Sequence, residues 1–191
     1  MFLLLGLGNP GEQFARTRHN VGFRVIESFA KDLGLRWRRL REVEWAAGLF
    51  QNERIYLLKP LTFMNRSGEG LRFFLTRYHL SNPTLIVVHD DLDFPPGVVK
   101  IKKDGGTGGH RGLESVLFAW GTPDFVRIRI GIGRPPMKEE VVEYVLGVPK
   151  DEEERILAEG EKRAKDALRC LLEKGLEVAM NCFNAPLKES K

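Results

Sequence analysis

The chain predicts an α/β fold, a single domain with a mixed, largely parallel sheet flanked by helices and a helical C-terminal segment. Three observations predict it. Apolar runs of strand length alternate along the chain with stretches of helical period. The run Leu85-Ile86-Val87-Val88 is continuously apolar, the pattern of a strand covered on both faces. Residues 151 to 183 keep a helical period, interrupted only near Gly175.

The elements follow in order. Residues 2 to 6 are apolar and end in Gly6, which predicts a first strand. A polar loop runs from there to Asn20, and Val21, Val25, Ile26 and Phe29 then mark the buried stripe of a helix. Residues 46 to 50 and 54 to 59 form a hairpin around Asn52, and Leu71, Phe74, Leu75 and Tyr78 give a second helix its stripe. After the Leu85 run come a strand over 98 to 102, a Gly-rich loop over 105 to 112, a helix from 113 to 120 and a last strand from Phe125 to Ile132. The tail carries its stripe on Ile156, Ala164, Leu168, Leu171 and Leu172, and acidic residues at its start suit a helix N-terminus.

With 191 residues the chain can bury one ordinary core, and residues 1–191 read as one domain. A content of 42% hydrophobic and 29% charged residues excludes a disordered or fibrous chain. No apolar run approaches the roughly 20 residues of a membrane span. Met1-Phe2-Leu3-Leu4-Leu5 has no basic flank and stops at Gly6, which excludes a signal peptide. Cys170 and Cys182 lack CxxC spacing and point to a reducing, cytoplasmic setting. The net charge of +4 hides an asymmetry, with an acidic run at Asp151 to Glu154 and basic clusters at Arg36 to Arg41 and Lys100 to Lys103. The basic clusters suit a polyanionic partner.

Several segments can carry chemistry. Gly6-Leu7-Gly8-Asn9-Pro10-Gly11 satisfies GxGxxG, but Pro10 interrupts it and the helix waits until about Asn20, which excludes a dinucleotide fingerprint. Asn9 is either exposed for binding or a turn residue. Phe14 to Asn20 puts His19 at the start of a helix, where the dipole and nearby Arg16 and Arg18 disfavour its cation and favour a base. His89-Asp90-Asp91-Leu92-Asp93 clusters carboxylates beyond a buried strand. They suit support of a catalytic histidine, a divalent metal, or the turn completed by Pro95-Pro96-Gly97. Met64 and Asn65 follow a strand and precede a helix. Asn65 fits a helix cap or an amide that holds a carbonyl or water, and Met64 fits the core or a ligand surface. Asn9, Asp90 and Asn65 all follow strands and so point to one sheet edge. The loop Gly105 to Gly112 lacks the Gly-Lys-Ser/Thr ending of a P-loop, yet its amides can approach phosphate. Lys100 with Lys102, and Arg127 with Arg129, share strand faces and could form a four-cation platform.

Together these segments closely resemble the bacterial-type peptidyl-tRNA hydrolase family, in order and spacing, over nearly the whole chain up to the helical tail. The resemblance implies a monomeric enzyme that cleaves the ester between a peptidyl group and the terminal ribose of tRNA without metal or cofactor. It implies His19 as base, Asp90 as its carboxylate partner, and Asn9 and Asn65 as positioning amides beside Met64 and Phe14. It further implies Lys102 and Arg129 as the grip on the tRNA acceptor end, with His110 lining the cleft. One departure stands out, since Arg111 occupies the position where the family's His-Asn-Gly has Asn. Arg111 then faces a phosphate or solvent. The competing expectations are a noncatalytic RNA-binding protein on the same fold and a metal-dependent hydrolase using Asp90, Asp91 and Asp93.

Overall fold

The computed structural model describes residues 1–185. Its strands are β1 (Phe2–Gly6), β2 (Arg38–Leu40), β3 (Val43–Phe50), β4 (Glu53–Pro60), β5 (Thr84–Asp91), β6 (Val99–Lys103) and β7 (Val126–Gly131). The helices are α1 (Val21–Asp32), α2 (Ser67–Tyr78), α3 (Arg111–Trp120), α4 (Val141–Leu146), α5 (Asp151–Lys174) and α6 (Leu176–Asn184). The strands form one sheet in the order β2-β3-β4-β1-β5-β7-β6. Its centre is parallel, with β1 between β4 and β5 and β7 beyond β5. Both edges are antiparallel, through β2-β3-β4 on one side and β6-β7 on the other.

Alternation along the strands divides the core into two layers. Leu4, Leu57, Ile86 and Ile128 face α1, α5 and α6, packing with Phe29, Leu157 and Leu168. Leu3, Leu5, Leu58 and Val87 face α2 and α3 through Leu71, Phe74, Leu113 and Val116. Burying Phe29 and Phe74 completely stabilises the two layers by roughly 2–3 kcal/mol each.

The expected elements are present, with their ends moved. The hairpin strands extend to Val43 and Pro60, and α2 begins at Ser67, just after Asn65. Gly68 and Gly70 break the apolar period, but a Cβ on Gly68 would collide with the Ser115 carbonyl, so glycine there lets α2 lie against α3. The structure adds β2 and α4, of three and six residues, both too short to show a period. Gly22 brings α1 onto the ends of β1 and β5, where a Cβ would strike the Val88 carbonyl. That close approach delivers the turn carrying His19 to the C-terminal edge of the sheet.

Candidate active site

The parallel strands β4, β1 and β5 are neighbours, so their C-terminal ends open on one edge. Asn65 follows β4, Asn9 follows β1 and Asp90 lies near the end of β5. These residues line one cleft of about 630 Å³, whose far wall includes Val142 and Leu146 of α4. Crevices at strand ends are where ligands gather in such sheets.

His19 sits in a 3-10 turn, Arg18–Asn20, directly before α1. Its Nδ1 lies 2.9 Å from each carboxylate oxygen of Asp90. A carboxylate only accepts, so Nδ1 carries a proton, and in the neutral ring Nε2 is then the nitrogen with the lone pair, on a ring that lines the cleft. Arg16 and Arg18, expected beside this ring, turn to α5, with Arg16 on Glu154 and Arg18 forked onto Glu153 at 2.7 Å through both nitrogens. The charge that faces His19 is therefore the Asp90 carboxylate.

Asp90 is 1% exposed and also accepts from Nε2 of His110 at 2.8 Å. Burial alone would raise its pKa, but the two imidazoles more than offset that and hold the carboxyl well below the usual range. His110 precedes α3, and its Nδ1 accepts the amides of Gly112 at 3.1 Å and Leu113 at 3.3 Å, capping that helix. His89 is buried beneath it and donates Nδ1–H to the Asp90 carbonyl at 2.6 Å. Burial, reinforced by His110, pushes the His89 pKa down to about 3, so that ring stays neutral.

Asn9 is buried, and its Oδ1 accepts the Met64 amide at 2.7 Å, which leaves its Nδ2 as a donor at the cleft. Asn65 is exposed in the 3-10 turn Met64–Arg66 and lines the cleft. It does not cap α2, whose N-cap is Arg66 with no side-chain bond. Met64 lines the cleft and also packs into the α2–α3 layer. Phe14 meets Phe63 edge to face at 6.3 Å, and Phe63 reaches this position with a φ of 57°, a strained value for an aromatic residue.

Of the four cations expected to form a platform, register pairs Lys100 with Arg129 and Lys102 with Arg127. Arg127 is 2% exposed and donates to the carbonyls of Gly106 at 2.5 Å and Gly105 at 2.6 Å, so it anchors the Gly-rich loop rather than facing a partner. Lys100 donates to the Asn184 carbonyl at the end of α6. Arg129 lines the cleft, bonded to Asp91 at 2.7 Å and lying over the Phe94 ring. Lys102 and Arg111 are exposed at the cleft without an ion pair among the described residues. Arg111 is the first residue of α3.

The three acidic residues do not converge on a metal. Asp90 faces the histidines, Asp91 takes Arg129 and the amide of Asp93, and Asp93 pairs with Arg134. A different donor set, His19, Asp90 and His110, lies within 4.8 Å. Ligation through Nε2 of His110 requires the proton to move to Nδ1, which would break both cap bonds of α3.

The sequence reading misses Asn20, Phe63, His89, Arg134 and the α4 wall. Asn20 accepts the Asn9 amide and donates to the Asn9 carbonyl, each at 2.9 Å. Its position beside His19 is the only local signal. The residues expected from the resemblance do come together, since Asn9, Phe14, His19, Met64, Asn65, Asp90, Lys102, His110 and Arg129 all line the cleft, and Arg111, the departure from the family pattern, lines it too.

A family model described as peptidyl-tRNA hydrolase matches residues 3–191. A peptidyl-tRNA hydrolase of Rubrobacter xylanophilus is 48% identical over 181 residues, covering 95% of this chain and 99% of that protein. One from Shouchella clausii is 42% identical over 186 residues, covering 96% and 100% respectively. The crystal structure of peptidyl-tRNA hydrolase from Acinetobacter baumannii superposes with a TM-score of 0.90 at 36% identity, over 97% of this chain and 95% of that one.

Proposed function

The chain belongs to the peptidyl-tRNA hydrolase family, and we propose that it hydrolyses the ester joining a peptidyl group to tRNA, with His19 as general base. The observation that carries this reading is the pairing of His19 Nδ1 with Asp90, which leaves Nε2 as an acceptor in the cleft beside Asn9 and Asn65.

In this mechanism Nε2 takes a proton from water as the oxygen adds to the ester carbonyl. Asp90 stabilises the imidazolium that forms. The Nδ2 donors of Asn9 and Asn65 hold the substrate carbonyl and the attacking water. Collapse of the tetrahedral intermediate expels the ribose oxygen, which recovers the proton from His19. A positioned base contributes about 10² to 10⁴ in rate, and one oxyanion donor roughly 10² to 10³. An ester activated by its ribose needs little more.

Phe14, Met64 and His110 line the peptide end of the cleft, and Lys102, Arg129 and Arg111 face the acceptor-end phosphates. The RNA is then read by phosphates and duplex shape, because the A-form major groove excludes side chains. We place the enzyme as a cytoplasmic monomer. Among the described residues, no helix is long and apolar enough to cross a membrane.

The test is incubation with an N-acetyl-aminoacyl-tRNA while release of the acyl-amino acid is followed. Release by the wild type and its loss in His19→Ala, with tRNA binding retained, is the expected result. Binding without release would instead favour a noncatalytic RNA-binding protein. Abolition by EDTA would return the metal reading.

A further inference from the structure

Asp90 is a nearly inaccessible carboxylate whose side-chain donors are two imidazoles. Nδ1 of His19 approaches both oxygens evenly at 2.9 Å, while Nε2 of His110 takes Oδ1 alone at 2.8 Å. The orientation of His110 is set elsewhere, by the amides of Gly112 and Leu113 that its Nδ1 accepts at the start of α3. Those two amides also fix its tautomer, because a nitrogen accepting hydrogen bonds carries no proton and Nε2 must then be the donor. The ring is further packed between His19 and His89, each with its centroid 5.1 Å away.

We propose that His110 is a positioning residue for hydrolysis: it competes with His19 for Asp90, and so sets how strongly the carboxylate supports the base. The proposal rests on His19 being that base. A hydrogen bond to one carboxylate oxygen draws charge away from the second partner, so His110 limits how much of the Asp90 charge is left to His19. The restraint is tied to the loop before it. Gly105, Gly108 and Gly109 all hold positive φ, and Arg127 grips the loop only at Gly105 and Gly106 among the bonds described. Any movement of residues 107 to 109 that lifts His110 from Asp90 returns the whole carboxylate to His19 and strengthens the base. The other charged or titratable groups around this cluster are His89 and Asp91 on β5, Arg129 on β7 and Arg111 on α3.

The discriminating variant is His110→Asn. Asparagine is a favoured N-cap, so its oxygen can keep the cap of α3, but the shorter side chain cannot also reach Asp90. Nitrogen-15 NMR titration of the His19 ring reads the effect without any need for turnover. The midpoint is expected to rise by about one pH unit in His110→Asn, and the acid limb of kcat/KM should move up with it. A midpoint that stays or falls overturns the proposal, even if kcat drops. If the wild type releases no acyl-amino acid, the hydrolase reading fails while the ring titration still decides the competition. Should the variant not fold, the wild-type His110 spectrum decides instead. The Nε2–H tautomer is expected, and an Nδ1–H tautomer overturns the proposal.

Discussion

Asn20 and Asn9 exchange two hydrogen bonds, in which Asn20 Oδ1 accepts the Asn9 amide and Asn20 Nδ2 donates to the Asn9 carbonyl, both at 2.9 Å. The exchange locks the backbone of the loop after β1, and the Asn9 side chain then reaches the Met64 amide. Asn20→Ala should leave the buried Asn9 amide unpaired, at about 1–3 kcal/mol of stability. Because Asn9 would also lose its aim, kcat should fall more than KM rises. Urea unfolding and steady-state kinetics check the two effects, and an unchanged kcat would separate Asn20 from the site.

Much of this arrangement is legible in the sequence. Asn9, Asp90 and Asn65 can be placed on one edge because apolar runs precede them and parallel strands share their C-terminal ends. Asn20 is hidden because its role depends on a contact with a loop eleven residues earlier, which no period records. Arg127 illustrates the opposite error. Alternation correctly puts it on one face with Arg129, but that face is covered there by the Gly-rich loop, so the charge turns inward to carbonyls. The tautomer of His110 depends on capping geometry at α3, and the rejection of a metal at Asp90, Asp91 and Asp93 depends on where their partners lie.

Arg127 should matter through the loop it holds. In Arg127→Lys the fork to Gly105 and Gly106 is lost while the charge stays. Hydrogen exchange over residues 105 to 110 should accelerate, and KM should rise several-fold. Unchanged exchange would show that the loop is held by other contacts.

His89 should make the protein acid-sensitive. Its pKa is pushed from 6.5 down to about 3 in the folded state, so the unfolded chain binds a proton that the folded chain refuses. The contribution to stability is full above about pH 6.5 and declines as the pH falls toward 3, by about 1.4 kcal/mol per pH unit. Asp90 adds to the loss lower down, since a carboxyl held below its usual range stabilises the fold above the unfolded value and ceases to do so on protonation. Replacing His89 with Gln should flatten the stability profile between pH 6 and 4, measured by denaturant unfolding at each pH. An equal slope in the variant would mean that another group titrates there.

Lys59 bridges Glu27 and Glu44, each at 2.6 Å, beneath the Trp37 ring and is 8% exposed. Lys59→Met keeps the volume but leaves both carboxylates without their cation. Because these carboxylates are partly exposed, the loss should be about 1–3 kcal/mol rather than that of a fully buried pair. Thermal unfolding should register it with kcat unchanged, since this bridge lies away from the cleft lining.

Lys102 and Arg129 should contribute to RNA binding in different ways. Arg129 is held in place by Asp91 and the Phe94 ring, so binding a phosphate costs it little ordering but must share the cation with a carboxylate. Lys102 is exposed and carries no ion pair among the described residues, so its full charge is available but its side chain must be ordered. Each cation that displaces a counterion adds about 0.7 to 0.9 to the slope of log K against log salt. Lys102→Ala should therefore lower that slope by nearly a full increment, whereas Arg129→Ala should lower it by less and weaken binding more evenly across salt. Filter binding of a minimal acceptor-stem RNA from 50 to 200 mM salt distinguishes the two. An unchanged slope in Lys102→Ala would remove that residue from the phosphate grip.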